Sequence, residues 1–300
     1  MAQYSIREIE YLSGVRAHTI RIWEQRYAMF HPQRTDTNIR YYSDCDLKLI
    51  LNIALLNKHG YKIGHIARMK EHEIAQHIKK LDKDEYAKNE LQINALTMAM
   101  IDLEEEKFEK IISTAILQNG FENTMFNLIY PFLDKIGIMW MTGSINPAQE
   151  HFITNLIRQK IIVAIDGQSY QQQPHSKQFL LFLPENEMHE ISLLFLAYML
   201  KARQHRVIYL GANIPLGDLL EIVNIRKPDY IYSILTSTLS KNYLKDYIGR
   251  LAQHSPSSQI ALSGQRICDL AEPLPNNVVA LKCLGEITQF IQSLSNTTTS

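Results

Sequence analysis

The sequence is poor in cysteine and contains no long apolar run. Its 300 residues include three cysteines, Cys45, Cys268 and Cys283, and no two of them lie within four residues of each other. This spacing excludes the paired thiolates of structural zinc sites, and so few cysteines fit a reducing, cytoplasmic environment. There is neither a run of eighteen apolar residues nor a basic segment followed by an apolar stretch at the N-terminus. We therefore expect no membrane span and no signal peptide.

An excess of one charge is also lacking, since 31 Lys and Arg balance 31 Asp and Glu. The distribution is nevertheless uneven. Residues 1–80 contain 13 basic and 8 acidic side chains, a net charge of +5, and residues 81–300 carry the balancing −5. This asymmetry predicts that residues 1–80, the head, bind a polyanion. Residues 81–300, the body, are expected to have a different function.

Apolar patterns divide the chain into three predicted domains, which makes the fold class multidomain, α and α/β. Residues 1–80 alternate short helices with a basic hairpin. Residues 85–168 repeat apolar residues three and four apart, which is typical of a helical bundle. Residues 177–295 alternate short apolar runs with helical stretches, which predicts a Rossmann-like parallel sheet covered by helices. The predicted strands are 179–183, 206–210, 230–235, 260–262 and 278–281.

The first domain has the pattern of a helix-turn-helix. A predicted helix over 7–12 is followed by the turn Ser13-Gly14-Val15, and a second helix is predicted over 17–26. Gly14 can adopt the positive φ that such a turn needs. This arrangement places a second helix in the DNA major groove, where Arg21 can contact guanine or a phosphate.

A short ribbon and a third helix follow. Arg34 and Arg40 lie at the two ends of the predicted ribbon, and Ser43 with Asp46 resembles a capping box that starts a helix. These patterns also fit a second interpretation, a small helical domain whose basic side chains are only solvated. On the pattern alone the two interpretations remain open.

One histidine marks the sheet edge where ligands bind in parallel folds. The strand predicted over 179–183 ends just before His189, and the chain then turns helical. Imidazole is a common metal ligand, and a carboxylate on its second nitrogen raises its basicity. Glu187 is placed to be that partner. The alternative is a solvated loop histidine beside acidic residues.

A second candidate feature lies in the helical domain. Trp140 is followed, after nine residues, by Glu150 and His151. Asn146 is a good helix N-cap and Pro147 a good first helical residue, so both polar residues fall in the opening turns of a helix. The alternative is a core tryptophan and two polar residues at a helix start.

The first seventy residues resemble the DNA-binding domain of the MerR family. The similarity lies in YSIREIEYLSGVRAHTIRIWEQRY, then PQR before the ribbon and IRYYS after it. The RIWEQRY variant is similar to the CarH/LitR and MlrA-like branch. No cysteine ligands of the MerR metal sensors follow the domain, so metal sensing is not expected. The DNA contacts that the resemblance implies are His18, Thr19, Arg21, Arg26, Arg34, Arg40 and Tyr42.

The remainder resembles the cobalamin-binding regulators of the CarH/LitR type. More broadly it is similar to the corrinoid-binding module of methionine synthase-like proteins, in which a helical bundle caps a Rossmann-like domain. The matching segments are EMHEIS at 187–192, SIL at 233–235, SG at 263–264, and Trp-x9-Glu-His at 140–151. The resemblance implies that His189 ligates cobalt. The cofactor-binding residues that it implies are Trp140, Glu150, His151, Glu187, His189, Ser192, Ser233, Leu235, Ser263 and Gly264.

The chain departs from these relatives at three positions. Ser192 and Ser263 replace glycines, and each adds a small side chain to the expected cofactor groove. Met141 stands where the light-sensing CarH type has a histidine that ligates cobalt after photolysis. A thioether is a weaker ligand for that photolysed state.

The resemblance implies a cytoplasmic, homo-oligomeric repressor, not an enzyme, whose binding to double-stranded DNA is controlled by adenosylcobalamin and by light. Two alternatives remain open. In one, the body is a scaffold that binds no cobalamin or binds another ligand. In the other, the chain is a corrinoid carrier for methyl transfer, although its basic head argues against this.

Overall fold

The computed structural model describes residues 3–35, 38–81, 85–141, 143, 145–236, 241–270 and 273–295. The chain divides into two compact units, Met1–Leu156 and Ile157–Ser300. The predicted linker at 81–85 lies largely outside the described residues, and the division into three domains stays a prediction. Within the described ranges, no helix is long and apolar enough to cross a membrane.

The first unit opens with the predicted helix-turn-helix and the predicted basic ribbon, which forms a wing beside it. Its elements are α1 (Ile6–Ser13), α2 (Ala17–Tyr27), β1 (Gln33–Arg34), β2 (Arg40–Tyr41), α3 (Asp44–Lys58), α4 (Ile63–Ile66) and α5 (Glu71–Leu81). Ser5 and Glu8 form a capping box at the start of α1. At its end, Gly14 takes the left-handed conformation, with φ +70°, and its amide donates to the Glu10 carbonyl. The glycine therefore makes the sharp turn that separates α1 from α2.

The predicted cap of the third helix is confirmed. The Ser43 side chain accepts a hydrogen bond from the Asp46 amide at 3.2 Å, and the Asp46 carboxylate accepts one from the Ser43 amide at 2.8 Å. Two free amides at the start of α3 are thereby satisfied, which fixes the point where the helix begins after the wing.

The unit continues with the predicted helical segment. Its elements are α6 (Glu85–Ile101), α7 (Glu105–Asn119), α8 (Phe121–Thr124), a π-helical turn (Met125–Ile129) and α9 (Tyr130–Met141). The last helix, α10 (Pro147–Asp166), begins in this unit and crosses the boundary at Leu156. Phe108 and Phe132 pack with ring centroids 5.8 Å apart, and both are fully buried. The Asn146 side chain accepts from the Ala148 amide at 2.8 Å, so α10 begins at Pro147 as predicted.

The second unit contains the predicted parallel sheet. Its elements are β3 (Gln178–Pro184), α11 (Ile191–Ala202), β4 (Arg206–Ile214), α12 (Leu216–Arg226), β5 (Tyr230–Ile234), α13 (Lys241–His254), β6 (Gln259–Ser263), α14 (Gln265–Cys268), β7 (Val278–Leu281) and α15 (Leu284–Ser295). All pairings in it are parallel, and the strand order is β4-β3-β5-β6-β7. The continuous apolar runs are buried, as expected for a sheet covered on both faces.

The strand β4 is longer than predicted, since it continues past 210 to Ile214. The register against β3 shifts after the Leu181–Tyr209 pair, so that Phe182 pairs with Gly211. Gly211 has φ +84°, a conformation that glycine adopts without strain. A bulge at this residue lets the strand bend and continue, which the apolar pattern alone did not indicate.

Candidate functional sites

The helix α2 exposes a polar and basic face. His18, Arg21 and Arg26 are exposed, whereas Ile20 and Trp23 on the same helix are buried. The buried pair anchors the helix while the basic face is left accessible. This is the arrangement that a recognition helix needs in order to reach base edges and phosphates.

Sequence reasoning missed two residues of this face. Ile22 and Gln25 are both exposed, and with His18 and Arg21 they occupy positions i, i+3, i+4 and i+7. Residues with this spacing share one face of a helix, so the sequence could have indicated that Ile22 and Gln25 belong to the exposed face. Thr19 is half-buried beside this face.

The wing is a short antiparallel pair in which Arg34 faces Arg40. The Arg34 guanidinium donates to the side-chain oxygen of Asn38 at 2.7 Å and is otherwise exposed. Asn38 has φ +64°, a conformation that asparagine tolerates in turns. The guanidinium is therefore oriented locally at the base of the wing tip.

Arg40 and Tyr42 connect the wing region to the recognition helix through Glu24. Arg40 Nε lies 3.2 Å from Glu24 Oε1, and the Tyr42 hydroxyl lies 3.5 Å from Glu24 Oε2. Burial, followed by the Glu24 carboxylate, raises the pKa of Tyr42 to about 12. The Tyr42 side chain is fully buried. Its burial argues against the predicted direct DNA contact and gives the residue a supporting position in the core.

In the second unit, His189 lies in the loop between β3 and α11, at the carboxyl edge of the sheet. Its side chain is 79% exposed, and its Nδ1 lies 2.6 Å from Glu187 Oε1. The expected imidazole–carboxylate pair is present. Because an ionised carboxylate only accepts hydrogen bonds, Nδ1 is the donor. The Nε2 lone pair is then directed away from Glu187 and is free to act as a ligand.

Glu187 is buried, and its carboxylate accepts hydrogen bonds from two residues, His189 and Thr236. Beyond the His189 ring, it accepts from the His189 amide at 3.2 Å, from the Thr236 amide at 3.3 Å and from the Thr236 hydroxyl. Burial alone raises the pKa of the Glu187 carboxyl, but the hydrogen bonds from Thr236 and His189 outweigh it and lower the pKa. The carboxylate is therefore held ionised in a fixed orientation.

Ser233 and Leu235 lie at the end of β5, next to this pair. Leu235 belongs to the core between the sheet and its helices. Ser233 is fully buried, and its hydroxyl has no hydrogen-bond partner among the described residues. An unsatisfied buried hydroxyl is unfavourable, so this oxygen is suited to a partner that the protein does not provide. Ser192 lies half-buried in the first turn of α11.

Gly264 approaches the backbone at the end of β5 very closely. A Cβ atom at this residue would lie 2.4 Å from the Leu235 carbonyl oxygen, and φ is +101°. Only glycine fits there. The preceding Ser263 is buried, and its hydroxyl accepts a hydrogen bond from Tyr232 at 2.8 Å. Its side chain thus takes part in the core and is not free at the sheet edge.

The candidate cofactor contacts from the helical segment lie in the first unit. Trp140 is 59% exposed near the end of α9, and Met141 is 74% exposed beside it. Glu150 and His151 lie in the opening turns of α10, with 3.5 Å between His151 Nδ1 and Glu150 Oε2. Glu150 also accepts from the Thr154 hydroxyl at 3.0 Å. Trp140 is therefore not the core tryptophan of the alternative interpretation, because most of its surface is accessible.

Sequence reasoning missed several contacts that support the His189 loop. Thr236 lies two residues past the end of β5, so its place at the same edge of the sheet was the available signal. Glu190 accepts from Arg158 at 2.6 Å and from the Tyr209 hydroxyl at 3.0 Å. The described residues contain no group of three His, Cys, Asp or Glu side chains that could hold a metal ion alone.

Two family models match parts of the chain. Residues 4–73 match the MerR HTH family regulatory protein model, and residues 92–164 match the B12 binding domain model. The first match covers the helix-turn-helix, wing and following helices, and the second covers most of α6 through α10.

Two curated relatives match over most of the chain. The chain is 25% identical over 280 residues to the HTH-type transcriptional repressor CarH of Myxococcus xanthus, covering 89% of this chain and 92% of the relative. It is 26% identical over 283 residues to the HTH-type transcriptional repressor CarA of the same organism, covering 85% and 93%. Both similarities extend through the helical segment and the sheet.

Among solved structures, the Methanosarcina barkeri monomethylamine corrinoid protein has a similar fold. The TM-score is 0.53 with 14% sequence identity, and the match covers 69% of this chain and 99% of that protein. At this identity the likeness concerns the fold alone.

Proposed function

Because this chain is a MerR-type helix-turn-helix regulatory protein that also carries a B12-binding domain, we propose that it is a transcriptional regulator whose DNA binding is controlled by a cobalamin. The names of CarH and CarA support repression as the sign of regulation. The observation that carries the proposal is the exposed His189 imidazole, oriented by a buried carboxylate at the ligand-binding edge of a parallel sheet.

The DNA-binding part of the proposal rests on α2 and the wing. Arg21 and Arg26 on the exposed helix face, with His18, Thr19, Arg34 and Arg40, are the proposed DNA contacts. A single helix-turn-helix offers few contacts, and such domains usually bind paired half-sites as dimers. We therefore propose that a homo-oligomer occupies the operator.

Three features of the second unit fit a corrinoid. His189 offers an accessible Nε2, and imidazole nitrogen is a suitable ligand for cobalt. Ser233 has a buried hydroxyl without a partner in the described part of the chain. Gly264 lies so close to the Leu235 backbone at the end of β5 that no side chain fits between them. An imidazole ligand, a polar partner and a close backbone approach are the chemistry that a large nucleotide-bearing cofactor requires.

When bound, a cobalamin would supply a cobalt ion that accepts a nitrogen ligand and a cobalt–carbon bond that light can break. In the proposed site, His189 would provide that nitrogen, and Glu187, which accepts from Nδ1, would fix the ring so that Nε2 faces the ligand. Thr236 fixes Glu187. Ser192 and Gly264 are proposed to line the groove, with Leu235 and Ser263 supporting it from the core. Trp140, Glu150 and His151 are further proposed cofactor contacts.

The finer proposal is adenosylcobalamin as the cofactor and light as the signal. It rests on the CarH/LitR resemblance and on the exposed aromatic ring of Trp140. Met141 stands beside it in place of the histidine of the light-sensing type. The Met141 thioether would be a weaker cobalt ligand than that histidine.

The proposal is tested by loading the purified protein with adenosylcobalamin in the dark, removing free cofactor, and recording the visible spectrum. We expect a coloured protein and, for His189→Ala, an affinity at least about tenfold lower. His254→Ala is the matched control, since His254 is an exposed histidine on α13. Equal affinity of wild type and His189→Ala contradicts the proposed ligand, and a colourless wild type supports the scaffold alternative.

The regulatory half is tested by measuring retention of the chain's own promoter DNA with and without adenosylcobalamin, before and after illumination. A ligand shifts DNA affinity only if it binds the two states differently. We expect DNA affinity to change with cofactor and to fall after light. Cofactor binding without any DNA retention would instead support the methyl-transfer carrier.

A further inference from the structure

A cleft in the first unit separates the helix-turn-helix from the helices that follow it. Its volume is about 800 Å³. The walls come from α1 and its following turn, from α3, from α6, and from the π-helical turn with α9. The cleft involves none of the residues proposed to contact cobalamin or DNA.

Lys135 is the chemically unusual group in this cleft. Its ammonium donates to the Asn94 side-chain oxygen at 2.9 Å. Across the described part of the chain, no carboxylate lies within 4 Å of it. Burial lowers the pKa of Lys135 to about 8, and the more distant Glu90 carboxylate acts in the opposite direction. A cation in such surroundings is stabilised by an anion that brings its own negative charge.

The other charged groups of the cleft leave this role open. Glu90 is already paired with Lys58, with 3.0 Å between Lys58 Nζ and Glu90 Oε1. Asp134 lines the cleft and is exposed to solvent. Neither carboxylate neutralises Lys135 directly. A ligand that enters the cleft therefore meets one uncompensated ammonium beside an amide.

The remaining walls are mainly apolar. They include Leu12, Leu51, Leu55, Ile93, Phe126 and Ile138. Phe126 lies in the π-helical turn, an irregularity that is frequent at functional sites. Apolar walls with one charged group that fixes orientation are typical of pockets for small organic ligands.

We propose that this cleft is a second effector site, which binds a small organic anion with an apolar body. The carboxylate or sulfonate of the ligand pairs with the ammonium of Lys135, and its apolar part fills the space between the helices. The site is independent of the cobalamin site, so one chain would respond to two chemical signals.

The position of the cleft supplies a route to DNA binding. Ser13, Gly14 and Val15 form part of its wall, and they are the turn between α1 and the recognition helix α2. A ligand in contact with this turn stabilises one orientation of the helix-turn-helix against the helices behind it. If that orientation differs from the DNA-bound one, binding is coupled to DNA release.

The test uses decanoate, which joins one carboxylate to an apolar chain, and decan-1-ol, which has the same body without the charge. Both are titrated by calorimetry into the full chain without cobalamin. We expect saturable binding of decanoate at one site per chain, at least about tenfold tighter than decan-1-ol. We expect Lys135→Met to lose that preference and Lys110→Met, an exposed lysine on α7, to keep it. Absence of saturable binding, or equal affinity in Lys135→Met, overturns the proposal.

A second measurement remains informative if Lys135→Met does not fold. Wild-type protein is treated with a trace of acetic anhydride at pH 8, and the modified lysines are mapped by mass spectrometry. We expect Lys135 to react, because its lowered pKa leaves part of it unprotonated at pH 8, and decanoate to slow Lys135 but not Lys110. Equal protection of both lysines, or of neither, overturns the proposal. The cobalamin spectrum is measured separately, so failure here leaves the proposed function untouched.

Discussion

The Glu187 carboxylate is 1% exposed, yet it holds, at 2.6 Å, an imidazole on His189 that is 79% exposed. The acid is fixed inside the protein and the base is presented outside it. Two residues of separation suffice because the loop turns at Glu187, whose amide donates to the Pro184 carbonyl at 3.0 Å. The ring is therefore oriented before any ligand arrives, which reduces the entropy lost on binding.

The first prediction concerns this pair. Glu187→Gln keeps the size and the hydrogen-bond acceptor but removes the negative charge beside His189 Nδ1. We expect the affinity for cobalamin to fall by about 10- to 100-fold, measured by titration of the visible spectrum. Glu185→Gln, on an exposed residue of the same loop, is expected to leave affinity unchanged. Equal losses in both variants contradict a specific role for Glu187.

The second prediction separates ligand binding from stability on α9. Met139 is buried and Trp140 is mostly exposed. Met139→Ala is expected to lower the free energy of unfolding in urea by about 2–5 kcal/mol. Trp140→Ala is expected to lower it by less than Met139→Ala does, since most of the Trp140 surface is exposed, while weakening cobalamin binding. A large stability loss with unchanged cofactor affinity in Trp140→Ala contradicts its proposed role.

The third prediction distinguishes exposed from buried residues of the DNA-binding head. Arg21→Ala is expected to weaken DNA binding by about 1–3 kcal/mol, the range for a lost base contact. Tyr42→Phe is expected to leave DNA affinity unchanged, because its ring is buried and only the bond to Glu24 is lost. Binding is measured by fluorescence anisotropy at several salt concentrations. If Arg21 contacts a phosphate instead, the slope of the logarithm of the binding constant against the logarithm of salt concentration decreases in magnitude by about one in the variant.

The fourth prediction concerns acid stability and His205, which is 1% exposed just before β4. Its Nδ1 accepts from the Lys177 amide at 3.2 Å, and its ring packs on Phe179. Burial, followed by the positive charges of His175, Arg203 and Lys177, lowers the pKa of His205 to about 4. The folded protein therefore keeps this histidine neutral where the unfolded chain, with a pKa near 6.5, becomes protonated.

The unfolded state thus binds more protons as the pH falls from about 6.5 to about 4. The stability that the neutral ring contributes is complete above the unfolded pKa and is lost across this window, by up to about 3 kcal/mol. His205→Asn retains an acceptor for the Lys177 amide and removes the titration. We expect urea unfolding of the variant to depend less on pH between 6.5 and 4 than that of the wild type. Parallel pH curves for the two proteins contradict this assignment.

Local features of the fold could be predicted from the sequence. The capping box of Ser43 and Asp46 is confirmed because both partners lie within one helical turn. The parallel sheet is confirmed because its apolar runs are short and separated by helical stretches. The Glu187–His189 hydrogen bond was also expected, since two residues of a tight loop meet regardless of the rest of the chain.

Features that depend on distant packing could not be predicted. Thr236 reaches Glu187 across 49 residues of sequence, and only the strand order brings them together. Tyr42 follows a basic, polar ribbon, yet its ring is buried. Its backbone forms an antiparallel β-bridge with Tyr4, which is distant in sequence. The extension of β4 depends on a bulge at Gly211, which apolar periodicity does not encode.

The close approach of Gly264 to Leu235 restricts which residues related chains can carry at this position. Any mutation of this glycine adds a methyl group where 2.4 Å is available, so the neighbouring strand end has to move as well. Two changes must then occur together, and the first alone is harmful. A chain that keeps glycine here keeps this close contact, and a chain with any other residue needs a different backbone at the end of β5.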